Sequence, residues 1–312
     1  YILVQIVDKF LHDETFNFLK TMPLTVSSLA MRTFKNMLGV KRLCELSNAS
    51  YFDSYLRNAY SGGRTEVFKL QVDEDYSYLD VNSLYPAQMM KPVPIGRVHK
   101  YTSLYNVSEA YKNKMAGVYQ VEWIAPDLHT PILWERKDFQ NSTKLIFGIN
   151  KKTEKHGKGY YALPELELAE QYGYIIKPIS CVVAEEEEAV SKPYVEKFIK
   201  MKYEGGAKQE IAKLLLNSLY GKCGQRLMTQ TSGTLTPQKA FKLQEEYVAN
   251  IESYNNALNN NASAEVLHIL ENKVKDSRFE CIDKDLEVYN YMTKKDHRDT
   301  NVMWACYITA MA

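Results

Sequence analysis

The stretch Tyr78-Leu79-Asp80-Val81-Asn82-Ser83-Leu84-Tyr85-Pro86-Ala87-Gln88-Met89-Met90 constrains this chain more than any other. Apolar and aromatic residues at 76–81 follow the charged run Asp73-Glu74-Asp75 and predict a strand. Asn82-Ser83 predicts a bend. Pro86 suits helix position N1, because proline lacks the N–H that a first helical turn leaves without an acceptor. A carboxylate at the last buried position of a strand, before a polar turn and a helix start, is placed to hold a metal-bound phosphate.

A second stretch completes the idea. Lys213, Asn217 and Tyr220 stand four and three residues apart in Lys213-Leu214-Leu215-Leu216-Asn217-Ser218-Leu219-Tyr220-Gly221. On a helix they fall within about 40–60° of one another. Leu214, Leu215 and Leu219 take other faces and are expected to pack on the preceding helix. The stripe offers a point charge for a triphosphate, a small donor and acceptor, and a flat ring for a base pair. Read from the helix alone, a solvent-facing stripe ending in a tyrosine is the plainer account.

The 312 residues are 45% hydrophobic, enough for a large core and two or three domains or subdomains. Lysine and arginine number 39 against 38 acidic residues, so bulk charge gives no argument for nucleic acid, and contacts must come from local patches. The five cysteines (44, 181, 223, 281 and 306) are widely spaced without a Cys-x-x-Cys pair, which predicts reduced thiols. No 18-residue apolar run or signal-peptide pattern is present, and neither a membrane partner nor secretion is expected. A chain that opens on Tyr1 and closes on the apolar run Trp304 to Ala312 reads as a segment of a longer protein.

Along the chain, residues 1–50 read as helices, with Ile6, Val7, Phe10 and Leu11 at helical spacing and a Thr/Ser-capped helix over Thr25 to Leu38. Arg57 to Arg64 places two adjacent glycines between arginines, a loop whose amides can approach a phosphate that the arginines neutralise, although Gly-Gly is also a plain turn. Strands are expected at Val118 to Ile124, Lys144 to Ile149 and Tyr174 to Val183, and a short helix at Leu163 to Tyr172. A basic, glycine-containing loop is expected from Lys151 to Lys158, and a solvated acidic loop at Glu185 to Glu188. A helix from Ser191 to about Tyr203, a Gly205-Gly206 turn and a helix from Lys208 to Tyr220, ended by Gly221 and Gly224, form an αα-hairpin. Residues 236–275 read as a further helical pair joined by the Asn-rich stretch 255–261.

Asp80 to Pro86 resembles motif A (DxxSLYP) of family B DNA polymerases, and Lys213 to Gly221 resembles their motif B (KxxxNSxYG). Tyr60-Ser61-Gly62-Gly63 resembles the YxGG loop between their exonuclease and polymerase domains, and the long interval between the motifs resembles the insertion of the protein-primed subgroup of small phages and linear plasmids. The resemblance implies an α+β fold: a palm with an antiparallel sheet, helical-hairpin fingers, an α/β insertion between motifs A and B, and a helical exonuclease remnant. The division it implies is 1–55 exonuclease remnant, 56–97 palm, 98–188 insertion, 189–224 fingers, 225–300 a second, helical insertion, and 301–312 palm again.

The implied activity is template-directed DNA polymerisation, with primer-template DNA, deoxynucleoside triphosphates and a terminal-protein primer as partners, in the host cell of a phage or mobile element or in an organelle. Asp80 and the Val81 carbonyl would be ligands of two magnesium ions, the second carboxylate lying outside this chain. The Ser83 and Leu84 amides would face the β- and γ-phosphates. Tyr85 would lie beneath the deoxyribose and clash with a 2′-hydroxyl. Lys213 would bind phosphates, and Asn217 and Tyr220 would line the nascent base pair. Tyr60, Gly62, Gly63, Arg64, Gly221 and Thr309 would contact DNA, Thr309 in the helix before motif C. A second phosphate-binding lysine is missing at Gln209, leaving Lys200, Lys202 and Lys208 as substitutes. Tyr1 fits the last exonuclease motif, but Gln5 stands where its acid belongs, with Asp8 one turn on. No motif C (DTD) follows motif B; Asp283-Lys284-Asp285 and Asp296 to Asp299 read as surface charge. The segment alone is therefore expected to be inactive. A non-catalytic nucleic-acid-binding relic is the alternative, and a nuclease with metal between Asp80 and the 185–188 glutamates a further one.

Overall fold

The computed structural model describes residues 14–312 except 15, 20, 22, 24, 68–69, 72–74, 137–144, 148–155, 227 and 295–299. Tyr1, Gln5, Asp8, the helix expected from Ile6 to Leu11, the lysine-rich start of the 151–158 loop, and Asp296 and Asp299 lie outside the described residues. The described elements run α1 (Val26–Leu38), α2 (Asp53–Leu56), α3 (Leu84–Met89), β1 (Val93–Tyr101), α4 (Leu104–Lys112), β2 (Gly117–Ile124), β3 (Trp134–Arg136), β4 (Leu145–Phe147), β5 (His156–Ala162), α5 (Leu163–Gln171) and β6 (Ile175–Glu188). They continue with α6 (Lys192–Tyr203), α7 (Gly206–Cys223), β7 (Met228–Thr234), α8 (Pro237–Asn259), α9 (Ala264–Asp276), β8 (Phe279–Asp283), β9 (Val288–Lys294) and α10 (Val302–Met311). The fold is α+β, and two compact units divide it: residues 1–135, 147–225 and 298–312, and residues 136–146 and 226–297.

The first unit is built around α10. This helix is apolar on every side, and such a helix is stable only when enclosed; Val302 to Ile308 are all buried. Two of its polar side chains are spent on neighbours. The Trp304 indole donates to the Pro94 carbonyl at 2.6 Å, and the Tyr307 hydroxyl accepts from the Gly117 N–H at 2.6 Å. Phe34 of α1 meets Trp304 and Tyr194 edge-on, at 6.3 and 5.7 Å between ring centres. Thr25 caps α1 by accepting from the Ser28 N–H, and Gly39 ends it in the left-handed region.

Beside the helices lies a four-stranded antiparallel sheet in the order β1-β6-β2-β5. Gly117 cannot carry a side chain there, since a Cβ would stand 2.2 Å from the Val182 carbonyl oxygen. β6 extends through Glu188, so the acidic run expected as a loop is strand. The β1 backbone pairs with it (Val93 opposite Glu188, Ile95 opposite Glu186) while the four carboxylates stay exposed, and ladder bonds override their loop-like composition. Strands β1 and β5 also lie where only mixed pattern or loop was expected; Pro94 and Gly96 break the alternation of β1.

The α6–α7 hairpin turns at Gly205 and Gly206, both at positive φ (77° and 59°). The Tyr194 hydroxyl ties the pair by donating to the Leu215 carbonyl at 3.1 Å. Leu215, Leu216 and Leu219 are buried, but Leu214 is half exposed rather than packed on α6. Helix α7 runs on to Cys223, with Gly221 inside it and Gly224 as its cap, so it does not end at Gly221.

The second unit is itself α+β. Helices α8 and α9 match the expected pair, although α8 continues to Asn259 through the first part of the Asn-rich stretch. The helical element expected here is thus present, and the antiparallel sheet β7-β9-β8, which was not expected, completes the unit. Leu235, Ala240 and Phe279 form its small core, with Leu243, Tyr247, Tyr289 and Tyr291 packed around them. Asp283 closes the β8–β9 turn by accepting from the N–H groups of Asp285 and Leu286. All five cysteines are free.

Candidate active site

Residues 75–81 run without ladder partners into the Asn82-Ser83 turn, and Asp80 is exposed. The strand expected at 76–81, with Asp80 as its last buried residue, is not formed: Tyr78 and Leu79 are 90% and 88% accessible. A strand needs a neighbour to satisfy its N–H and C=O groups, and among the described residues none pairs with this segment. The turn and helix do follow. Ser83 adopts a left-handed conformation (φ 56°, ψ 37°), uncommon for a residue with a side chain, and α3 starts at Leu84. Pro86 therefore sits at the third helical position rather than the first, still within the turn whose N–H groups have no intrahelical acceptor.

Ser83 does not cap its own helix. Its hydroxyl accepts from the Lys202 ammonium of α6 at 2.9 Å. A cleft of about 360 Å³ opens at this junction, lined by Asn82, Ser83, Ala87, Met90, Ile199, Lys202 and Tyr203. Lys200 is two residues away, roughly 160° around the helix. It lines a different groove with Lys197, Glu204 and Lys208, where Lys208 is ion-paired to Glu204. Of the three substitute lysines, Lys202 is the one that reaches the turn after Asp80.

Tyr85 and Tyr220 stack, with ring centres 4.6 Å apart and planes 12° from parallel. Burial raises the Tyr220 pKa, and the adjacent Tyr85 phenol adds to the rise. Lys213 and Asn217 are exposed. They share the face of α7 that Tyr220 presents to Tyr85, Lys213 standing about 10 Å further along the axis. The tyrosine of the YxGG-like loop joins the same group. A Cβ on Gly224 would lie 2.7 Å from the Tyr60 ring, and one on Gly63 would lie 3.3 Å from the Tyr85 hydroxyl. Burial, then the neighbouring Tyr220, raises the Tyr60 pKa. Gly62 and Gly221 stand in open space.

Other expected groups are engaged elsewhere. The Arg64 guanidinium pairs with Glu66 and donates to the Pro131 carbonyl at 2.6 Å. Arg57, read as a phosphate-neutralising flank, is turned inward: it binds Asp53 through two bonds and donates to the Gly224 and Gln225 carbonyls. The Thr309 hydroxyl donates within its own helix, to Ala305 and Cys306 carbonyls. Arg57 and Gly224 are residues that sequence reasoning missed in these roles. The one signal for them was their nearness to the quoted motifs.

Among the described residues no group of three or more His, Cys, Asp and Glu side chains converges as a metal site. Asp80 is accordingly not joined by two further such side chains among the described residues. For the same reason the nuclease arrangement of Asp80 with the 185–188 glutamates is not assembled; those glutamates lie on the β6 ladder. No described helix is long and apolar enough to cross a membrane.

Comparison with known proteins bears on this geometry. A family model described as DNA polymerase type B, organellar and viral, matches residues 1–302. A protein of Ascobolus immersus named "Probable DNA polymerase" is 33% identical over 239 residues, 74% of this chain and 19% of that protein. The DNA polymerase of Bacillus phage Nf is 28% identical over 212 residues, 64% of this chain and 36% of that protein. The solved structure of Phi29 DNA polymerase complexed with primer-template DNA has the same fold over 99% of this chain and 45% of its own, with a TM-score of 0.61 at 16% identity. The chain spans less than half the length of each of these relatives.

Proposed function

The chain belongs to the type B DNA polymerase family of organellar and viral proteins, and from that premise we propose that it carries the nucleotide-binding part of a template-directed DNA polymerase. The observation that carries the reading is the stack of Tyr85 on Tyr220, which brings the motif A-like and motif B-like segments to one place. In this reading an incoming deoxynucleoside triphosphate lies between α3 and α7. Lys202 exchanges the Ser83 hydroxyl for a phosphate oxygen, a stronger, charge-assisted partner. Lys213 holds a second phosphate oxygen, and the Ser83 and Leu84 amides face the same phosphates. Tyr85 lies under the sugar, where a 2′-hydroxyl has no room. Asn217 and Tyr220 border the new base pair, and Tyr60, Gly62 and Gly63 meet the template strand.

Magnesium would be held by Asp80 and the Val81 carbonyl, with the remaining ligands supplied from outside the described residues. Two such ions would activate the primer 3′-hydroxyl and stabilise the leaving pyrophosphate. Residues 1–312 by themselves are proposed not to extend a primer. Initiation on the hydroxyl of a terminal protein, in place of a DNA primer, follows from the subgroup resemblance.

Primer extension by the full-length protein that contains this segment tests the reading. Extension that needs a divalent ion and is abolished by Asp80→Asn supports it. DNA binding without extension, unchanged by Asp80→Asn, would establish the non-catalytic relic instead.

A further inference from the structure

Helix α7 ends against a guanidinium. Arg57 donates from Nε and Nη2 to the two Asp53 oxygens at 2.6 and 3.0 Å, and from Nη1 and Nη2 to the carbonyls of Gly224 and Gln225 at 3.1 and 2.8 Å. Four acceptors on one planar fork hold the helix end in both distance and direction, which a flexible ammonium cannot do. The neighbouring carbonyl is taken as well, since Cys223 accepts from the Asn301 N–H at 3.0 Å. The last carbonyls of a helix ordinarily face water or a local cap; here the carbonyls of the last helical residue Cys223, of its cap Gly224 and of the following Gln225 are all held by segments distant in sequence. Tyr220 lies one turn before this clamp, and three residues after Arg57 the Tyr60 ring fills the notch over Gly224.

The geometry points to Arg57 as a positioning residue for the nucleotide site. By fixing the end of α7 it sets where Tyr220 meets Tyr85, and it links that stack to the Tyr60–Gly63 loop. This rests on the reading that Tyr85 and Tyr220 border the incoming nucleotide. A loosened α7 end would let the stack slide, and the sugar-sensing ring would lose its backing. Misplacement by about 1 Å at a positioned site is enough to cost on the order of a hundred-fold in rate, so selectivity is sensitive to such a shift. Arg57 itself need not touch the substrate.

The test uses the full-length protein with Arg57→Lys, which keeps a cation beside Asp53, and Arg57→Ala. Tyr111→Phe is the comparison for loss of stability alone, because it removes a hydrogen bond to Glu170 that joins α4 to α5. Two quantities are read: the ratio of deoxy- to ribonucleotide incorporation efficiency, and the ¹⁹F resonance of 3-fluorotyrosine placed at position 220. The expected result is a ratio lowered on the order of ten-fold in Arg57→Lys, at the scale a displaced group produces, with a shifted resonance and neither change in Tyr111→Phe. Equal loss of activity toward both nucleotides with an unmoved resonance would overturn the assignment and leave Arg57 structural. Should the unsubstituted protein not extend primers, the polymerase reading fails by itself. The resonance then decides the clamp: shifted in Arg57→Lys it stands, unmoved it falls. Arg57→Lys gives the answer if Arg57→Ala does not fold.

Discussion

The Lys202 ammonium donates to the Ser83 hydroxyl at 2.9 Å, joining the α6–α7 hairpin to the turn that follows Asp80. Lys200, on the opposite side of the same helix, faces the groove with Lys197 and Glu204. The two lysines should therefore separate in a kinetic experiment. Lys202→Ala is expected to raise the KM for the incoming nucleotide on the order of ten-fold or more, the scale of a charge-assisted hydrogen bond to phosphate. Lys200→Ala is expected to leave KM within about two-fold, as exposed charges contribute little. Single-nucleotide incorporation by the full-length protein checks both, and equal effects would remove the distinction.

Tyr85, proposed to sense the sugar, has two close neighbours: its ring rests on Tyr220, and its hydroxyl lies 3.3 Å from where a Gly63 side chain would begin. Replacing it by valine empties the space under the sugar. Ribonucleotide incorporation is expected to rise on the order of a hundred-fold relative to the parent, since a steric clash worth about 3 kcal/mol is removed. Unchanged ribonucleotide rejection in Tyr85→Val would assign the discrimination to another side chain.

The parts of the site legible in the sequence are those whose chemistry rests on local spacing. Lys213, Asn217 and Tyr220 need only the helical period to share a face, and Asn82-Ser83 before Leu84 needs only turn chemistry to end one segment and start a helix. Partnerships across the chain were not legible. Arg57 and Gly224 are 167 residues apart, and nothing local to either announces the bond. The expected strand at 76–81 failed because alternation describes a strand's faces, not the neighbour that must accept its hydrogen bonds. The reverse error occurred at Glu185 to Glu188, where four carboxylates looked like a loop although β1 supplied a ladder. In the second unit Met228 to Thr234 is mostly polar on both faces, so β7 carries no apolar alternation to read.

Glu165 gives the first unit a pH dependence. Its carboxylate caps α5 by accepting from the Ala162 N–H at 3.0 Å and also accepts from the Trp134 indole at 3.3 Å. Burial nevertheless dominates and raises its pKa from 4.5 to about 7. Between those values the folded protein keeps a proton that the unfolded chain has released. The contribution is therefore complete below about pH 4.5 and is lost as pH rises through about 7, a change of roughly 3 kcal/mol. Glu165→Gln cannot ionise; it keeps an oxygen for one of the two donors and sets its NH2 against the other, a cost that does not vary with pH. Chemical denaturation should show the variant gaining on the parent as pH rises across this window, and a constant difference would contradict the assignment.

Gly224 is expected to show a sign reversal that depends on one ring. Its backbone is ordinary (φ −81°, ψ 4°), so no conformational reason requires glycine. On backbone grounds Gly224→Ala should stabilise the fold by about 0.4–1 kcal/mol, by restricting the unfolded chain. The obstacle is Tyr60, whose ring carbon and hydroxyl stand 2.7 Å from the new Cβ. Tyr60 is half-buried and close to Tyr220, so its ring cannot swing away without leaving the group that includes Tyr85. Overpacking of this kind costs about 1–3 kcal/mol, which outweighs the backbone gain. Gly224→Ala alone is expected to destabilise. In a Tyr60→Ala background the obstacle is gone, and the same substitution should become neutral or stabilising. The coupling measured across the four proteins is then on the order of 1 kcal/mol or more, well outside the additivity expected of independent sites. Additive effects would mean that the Tyr60 ring does not fill the notch at the end of α7.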